Sequence, residues 1–194
     1  MNATSRYIIR LFIYGVLMFG PVNIVTHPAA AADYISNFDR IPAVENMPAR
    51  VGYWRHPPRV VVCEHAPVNN TQIRSAVRFW ENLGYDFHTV QYKSDPLGKC
   101  MSDKPKGYIV IHLISSGVRM EDSSLAQTHF YVDNDTNIIE WAKIYFRSDI
   151  RNTVLEHELG HALGFLHFNR TDHLMNQKWE MGGWNKSGLE NKRR

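Results

Sequence analysis

The sequence predicts an α+β domain. Three observations predict it: five short runs rich in β-branched and aromatic residues, one segment whose apolar residues recur at helical spacing, and a second helical segment that carries His157, Glu158 and His161. The first run is residues 59–63 (RVVVC), a β-branched strand. Asn69, Asn70 and Thr71 then offer N-caps, and Ile73, Ala76, Val77, Trp80 and Leu83 recur on one face of a helix that Gly84 ends. Residues 86–92 (DFHTVQY) alternate as a second strand. A loop with Pro96, Gly98 and Pro105 leads to residues 108–115 (YIVIHLIS), apolar enough for a central strand. Residues 125–132 and 138–146 are joined by the turn sequence DNDTN and read as a hairpin. The histidine-bearing helix spans about 149–163. No internal repeat or low-complexity segment interrupts this order.

That last helix holds the chemistry. Residues 157–167 (HELGHALGFLH) follow the pattern H-E-x-x-H-x-x-G-x-x-H. Two histidines four apart leave one face of a helix a turn apart, and so can hold two corners of a zinc tetrahedron. Gly164 can take a left-handed conformation, stop the helix and turn the chain. His167 then comes back as a third ligand. Three protein ligands leave a fourth position for water, which distinguishes a catalytic zinc from a structural one. Glu158 is placed to take a proton from that water. Five fixed positions arise by chance in a chain of this size on the order of once in ten thousand, so the pattern is specific.

The start of the chain has the layout of a secretory signal peptide over residues 1–32. Arg6 and Arg10 precede an apolar stretch, residues 11–19 (LFIYGVLMF), and Ala29 to Ala32 offer small-residue cleavage sites. The stretch is short of the roughly 20 residues that a membrane span needs. The chain is therefore expected to be secreted or periplasmic, with no stable membrane association after cleavage. Residues 33–58, with Pro42, Pro48, Pro57 and Pro58, read as an extended N-terminal arm. Residues 59–194 are expected to form the catalytic domain. Cleavage leaves 20 basic against 19 acidic side chains, which does not suggest nucleic acid as a partner. The two cysteines, Cys63 and Cys100, are an even pair in an exported chain and suggest one disulfide.

The long histidine motif, followed by Leu174-Met175-Asn176 after a short loop, resembles the signature of the metzincin clan of zinc peptidases, with Met175 in the place of its Met-turn. The element order is similar to that of the clan's matrixin-like branch over about residues 59–176. The resemblance implies a twisted, mostly parallel sheet with one antiparallel edge strand. It also implies a backing helix, a zinc-binding active-site helix and a small C-terminal subdomain after Gly164. The edge strand lines the cleft, and Leu125, Ala126, Gln127, Thr128, His129 and Phe130 match it. There an extended peptide substrate binds by adding a strand. The implied activity is a monomeric zinc endopeptidase with one zinc ion, ligated by His157, His161 and His167, and Glu158 as general base.

The departures matter too. The arm holds no cysteine, so no cysteine switch is expected. Gln127 stands where the family often has a histidine for a second, structural zinc, and residues 116–124 lack its histidine and aspartate ligands. Gln177 stands where some metzincins have a tyrosine ligand. The family's C-terminal helix is hard to find: residues 187–190 (SGLE) offer a capping box just before the chain ends. Trp179 and Trp184 are expected to pack against the Met-turn in its stead. Of the remaining titratable residues, His112 reads as a core histidine, His129 as a solvated one, His173 as a neighbour of the Met-turn and Glu156 as solvent-facing. Two other readings fit the same motif: a zinc hydrolase of cell-wall peptides, and a zinc-containing binding module without turnover.

Overall fold

The computed structural model describes residues 47–94, 100–101, 103–114, 118, 120, 124–148 and 150–191, and the backbone of residues 7–14. The expected cleavage site at Ala29 to Ala32, residues 33–46 of the arm and most of the 116–124 loop lie outside these. The elements in chain order are β1 (Tyr7–Tyr14), β2 (Arg59–Cys63), α1 (Asn70–Glu81), β3 (Thr89–Lys93), β4 (Tyr108–Leu113), β5 (Ser124–Asp133), β6 (Ile138–Phe146) and α2 (Val154–Ala162). A 3-10 turn follows over Trp179–Met181.

The strand order is β1-β5-β6-β4-β2-β3. Strands β2 to β6 form a mostly parallel sheet: β3, β2, β4 and β6 run parallel, and β5 is antiparallel to β6. One expectation needs correcting. β5 is not the edge of the sheet, because β1 lies antiparallel along its outer side, from Tyr7 opposite Val132 to Tyr14 opposite Ser124. An edge strand leaves every second backbone N–H and C=O unpaired, and the β-branched and aromatic run of β1 is suited to fill that row.

Helix α1 starts where its chemistry allows. The Asn69 side chain accepts from the Gln72 N–H, and the Gln72 side chain accepts from the Asn69 N–H, which is a reciprocal capping box. Its apolar face, Ile73, Ala76, Val77 and Trp80, is buried. Helix α2 is shorter than expected. It begins at Val154 rather than near 149, because Thr153 is left-handed (φ 68°) and cannot continue a right-handed helix backward. Both helices pack on one face of the sheet, with Val60, Val62, Ile109, Ile111, Phe130, Ala142 and Ile144 beneath them in one core.

The opposite face carries a smaller cluster, Val61, Cys63, Cys100 and Val110. Cys63 and Cys100 are joined in a disulfide with 37 residues of separation. Closing a loop of that length in the unfolded chain is worth about 3–4 kcal/mol in the chain-entropy account. The Cys63→Ala/Cys100→Ala variant is therefore expected to lose about that much stability in urea unfolding. A loss indistinguishable from zero would remove the disulfide from the account of stability.

Two peripheral segments close the domain. Residues 47–58 of the arm bond to the far end of α2 and to the β5–β6 turn: the Tyr53 N–H donates to Asn137 O, and the Ile139 N–H to Tyr53 O. The C-terminal segment contains no helix among its described residues. Gly188 is left-handed (φ 83°), and its N–H donates to the Glu190 carboxylate, so residues 187–190 form a turn. Leu189 is fully buried there, and its carbonyl accepts from the Tyr85 hydroxyl. No helix among the described residues is long and apolar enough to cross a membrane.

Candidate metal centre

His157 and His161 leave the same face of α2, and Gly164 (φ 96°) turns the chain so that His167 comes back toward them. The three imidazoles each offer one nitrogen, and these atoms all lie within 4.8 Å of one another. The Nε2 atoms of His161 and His167 are 3.2 Å apart. Two ligands on a tetrahedral zinc with bonds of about 2.0–2.1 Å stand about 3.3 Å apart, so this spacing is that of neighbours on one ion.

The outer nitrogens are fixed by backbone carbonyls, which can only accept. The Nδ1–H of His157 donates to Leu174 O (2.6 Å), and that of His161 to Phe165 O (2.7 Å). Each Nε2 is thereby left as the bare nitrogen that could bind a metal. The Nε2 of His157 is buried with no hydrogen-bond partner. A buried acceptor without a donor is costly, and a cation at this point relieves it. Burial also pushes the imidazoles down, His157 to about 3, His167 to about 4 and His161 well below its ordinary value. All three are neutral at pH 7 and do not need to shed protons to bind a metal. The donor set therefore fits a metal ion.

Glu158 follows His157 in α2, and its side chain is fully buried. Burial pushes its carboxyl up to about 8, against the pull of a hydrogen bond from Thr128. The Thr128 hydroxyl donates to Oε2, while Oε1 is buried with no partner. One oxygen is thus held; without a metal the group is mostly the neutral acid at pH 7, and a divalent cation nearby would favour its carboxylate form. The carboxylate next door, Glu156, is not solvent-facing as expected. It is half-buried, burial raises its carboxyl, and its carbonyl accepts from Trp80 Nε1.

Met175 lies beneath the cluster, fully buried. A side chain at Gly160 would meet its sulfur at 2.5 Å and the Trp80 ring at 2.8 Å, so α2 rests on Met175 only because residue 160 has no Cβ. The turn is tied to the histidine cluster on both sides. Leu174 O accepts from His157, and Met175 O accepts from the Phe168 N–H, one residue past His167. His173 is not a ligand. Its Nδ1 accepts from the Met175 N–H and its Nε2–H donates to Ser187 O, so it holds the turn to the C-terminal segment.

The residues matched to a substrate-lining strand are divided. Thr128 reaches Glu158, Ala126 and Phe130 enter the core, and Leu125 packs against its margin. Gln127 and His129 point to the other face by strand alternation, His129 against the Tyr145 ring. His112 stacks on the same ring from the other side. Trp184 departs from expectation, while Trp179 packs against the core cluster that contains Leu174 and Met175. Trp184 is 55% exposed and lies against Phe79 of α1, not the Met-turn. Trp179 donates from Nε1 to Asn152 O beneath Arg151. Trp80 also lies at Met175, and was legible in the sequence only as a core position of α1. No protein-family model, no curated protein and no solved structure matches this chain.

Proposed function

We propose that this chain is an exported zinc-dependent endopeptidase of the metzincin type, matrixin-like in its element order. The observation that carries the reading is the convergence of three neutral, buried imidazoles whose nitrogens lie within 4.8 Å of one another. His157, His161 and His167 would hold a zinc ion, which when bound would supply a water of pKa near 7 and a Lewis acid for the scissile carbonyl. The protein's own groups do the rest. Held in its carboxylate form by the charge of the ion, Glu158 would accept the proton of the attacking water on Oε1 and pass it to the leaving amine. Thr128 holds Oε2 and so aims Oε1. Phe165 O and Leu174 O keep the ligand rings in the tautomer that binds metal. With Gln177 where a tyrosine ligand would stand, no phenol shares the charge of the carbonyl oxygen.

The substrate is an extended peptide added to the outer side of β5. The pairing of β1 there supports this, because that edge accepts an extended chain in antiparallel register. Removal of residues 1–32 as a signal peptide frees the edge for a substrate. The test is hydrolysis of an unfolded protein substrate by purified, metal-quantified protein with and without a zinc chelator. One zinc per chain, loss of hydrolysis on chelation and its return on adding zinc are expected. Metal-loaded protein that cleaves no peptide bond would leave only a binding module. Cleavage of cell-wall peptides alone would move the substrate to that class.

A further inference from the structure

We infer that residues 49–54 of the N-terminal arm are part of the scaffold of the metal site and set how tightly it holds its ion. This rests on the metal-centre reading above, and goes beyond it by naming positioning residues far from the motif in sequence. Helix α2 by itself fixes only the relation of His157 to His161. The third ligand lies beyond a turn, and the last carbonyls of any helix are left without intrahelical donors.

The arm supplies donors to three carbonyls in a row. Trp54 Nε1–H donates to Ala162 O, Arg50 Nε–H to Leu163 O and the Val51 N–H to Gly164 O, each at 2.9 Å. Arg50 also brings a positive charge to the negative end of the helix. Its guanidinium lies over the rings of Tyr85 (5.0 Å) and Phe165 (5.3 Å). The approach is backbone to backbone. A Cβ on Gly164 would sit 2.5 Å from Gly52 O.

The decisive contact is one peptide group. The carbonyl of Phe165 accepts the Nδ1–H of the ligand His161, and the N–H of the same peptide unit, on Leu166, donates to Ala49 O at 2.9 Å. Donation by the N–H polarises the carbonyl and strengthens it as the acceptor that orients His161. His167 is the next residue. The arm therefore grips the segment that orients one ligand and delivers another.

The experiment is zinc affinity, measured in the full chain by competition with a chromophoric chelator, for the parent and for Arg50→Met/Trp54→Phe. These changes remove two side-chain donors and leave both stems. The zinc Kd is expected to weaken by about ten- to hundredfold, the usual cost of losing groups that orient metal ligands. The cobalt-substituted protein, read by its visible absorption, is expected to show a shifted d–d band. Trp54→Phe alone, which keeps a ring in place, is expected to move both readouts the same way by less, and serves if the double variant does not fold. A lowered melting temperature with unchanged zinc Kd and cobalt spectrum would make the arm a plain stabiliser and overturn the inference. A parent chain that takes up no zinc would instead overturn the metal-centre reading, and this inference with it.

Discussion

Glu158→Gln is expected to leave the fold and the bound zinc in place and to lower kcat for peptide hydrolysis by about 10²–10⁴-fold, the range general acid–base catalysis commonly supplies. The amide has nearly the shape of the carboxylate and can still accept from Thr128 through its oxygen. What it cannot do is take the proton of the attacking water. The three imidazoles are untouched, so zinc content and the melting temperature of the zinc form should stay near those of the parent. The measurement pairs steady-state kinetics with metal analysis on the same sample. Near-normal turnover in a zinc-replete Glu158→Gln protein would remove the mechanism, whereas loss of zinc would show that Glu158 holds the site together rather than acting on water.

The second large effect is expected from His161→Ala. His161 is the middle ligand, close to both of the others: its ring lies 4.5 Å from that of His157 and 4.7 Å from that of His167, centroid to centroid. Anything that binds the folded state alone stabilises it by mass action. With free zinc a thousandfold above its Kd, the parent is expected to gain about 4 kcal/mol, seen as a zinc-dependent rise in melting temperature. The variant is expected to lose this rise and all hydrolysis. Removing the ring also leaves Phe165 O without its donor, at a cost of about 1–3 kcal/mol in the metal-free protein. A calorimetric zinc shift as large as that of the parent would place the ion elsewhere.

Much of the site was legible in the residues because its information is local. A four-residue spacing on a helix needs no tertiary partner to put His157 and His161 on one face, and a glycine three residues on is enough to foretell a turn. The capped helix α1 and the β5–β6 hairpin were legible for the same reason, since Asn69, Gln72 and the DNDTN turn act within a few residues of themselves. The start of α2 was not, because Thr153 adopts a left-handed conformation that no propensity of a β-branched residue favours. The role of Thr128 was not legible either. It reads as one more strand residue until 30 positions of chain bring it against Glu158.

Composition and spacing were sufficient to foretell that the three histidines meet and that the class is α+β, because each depends on side-chain type and on periodicities built into the backbone. Folding alone revealed which partners finish those groups: Thr128 on the carboxylate, Trp80 and Met175 under Gly160, the arm on the end of α2, and β1 along β5. Such pairings depend on packing and on leftover hydrogen-bond donors and acceptors that meet only when distant segments are brought together. No local pattern of residues encodes where those meetings take place.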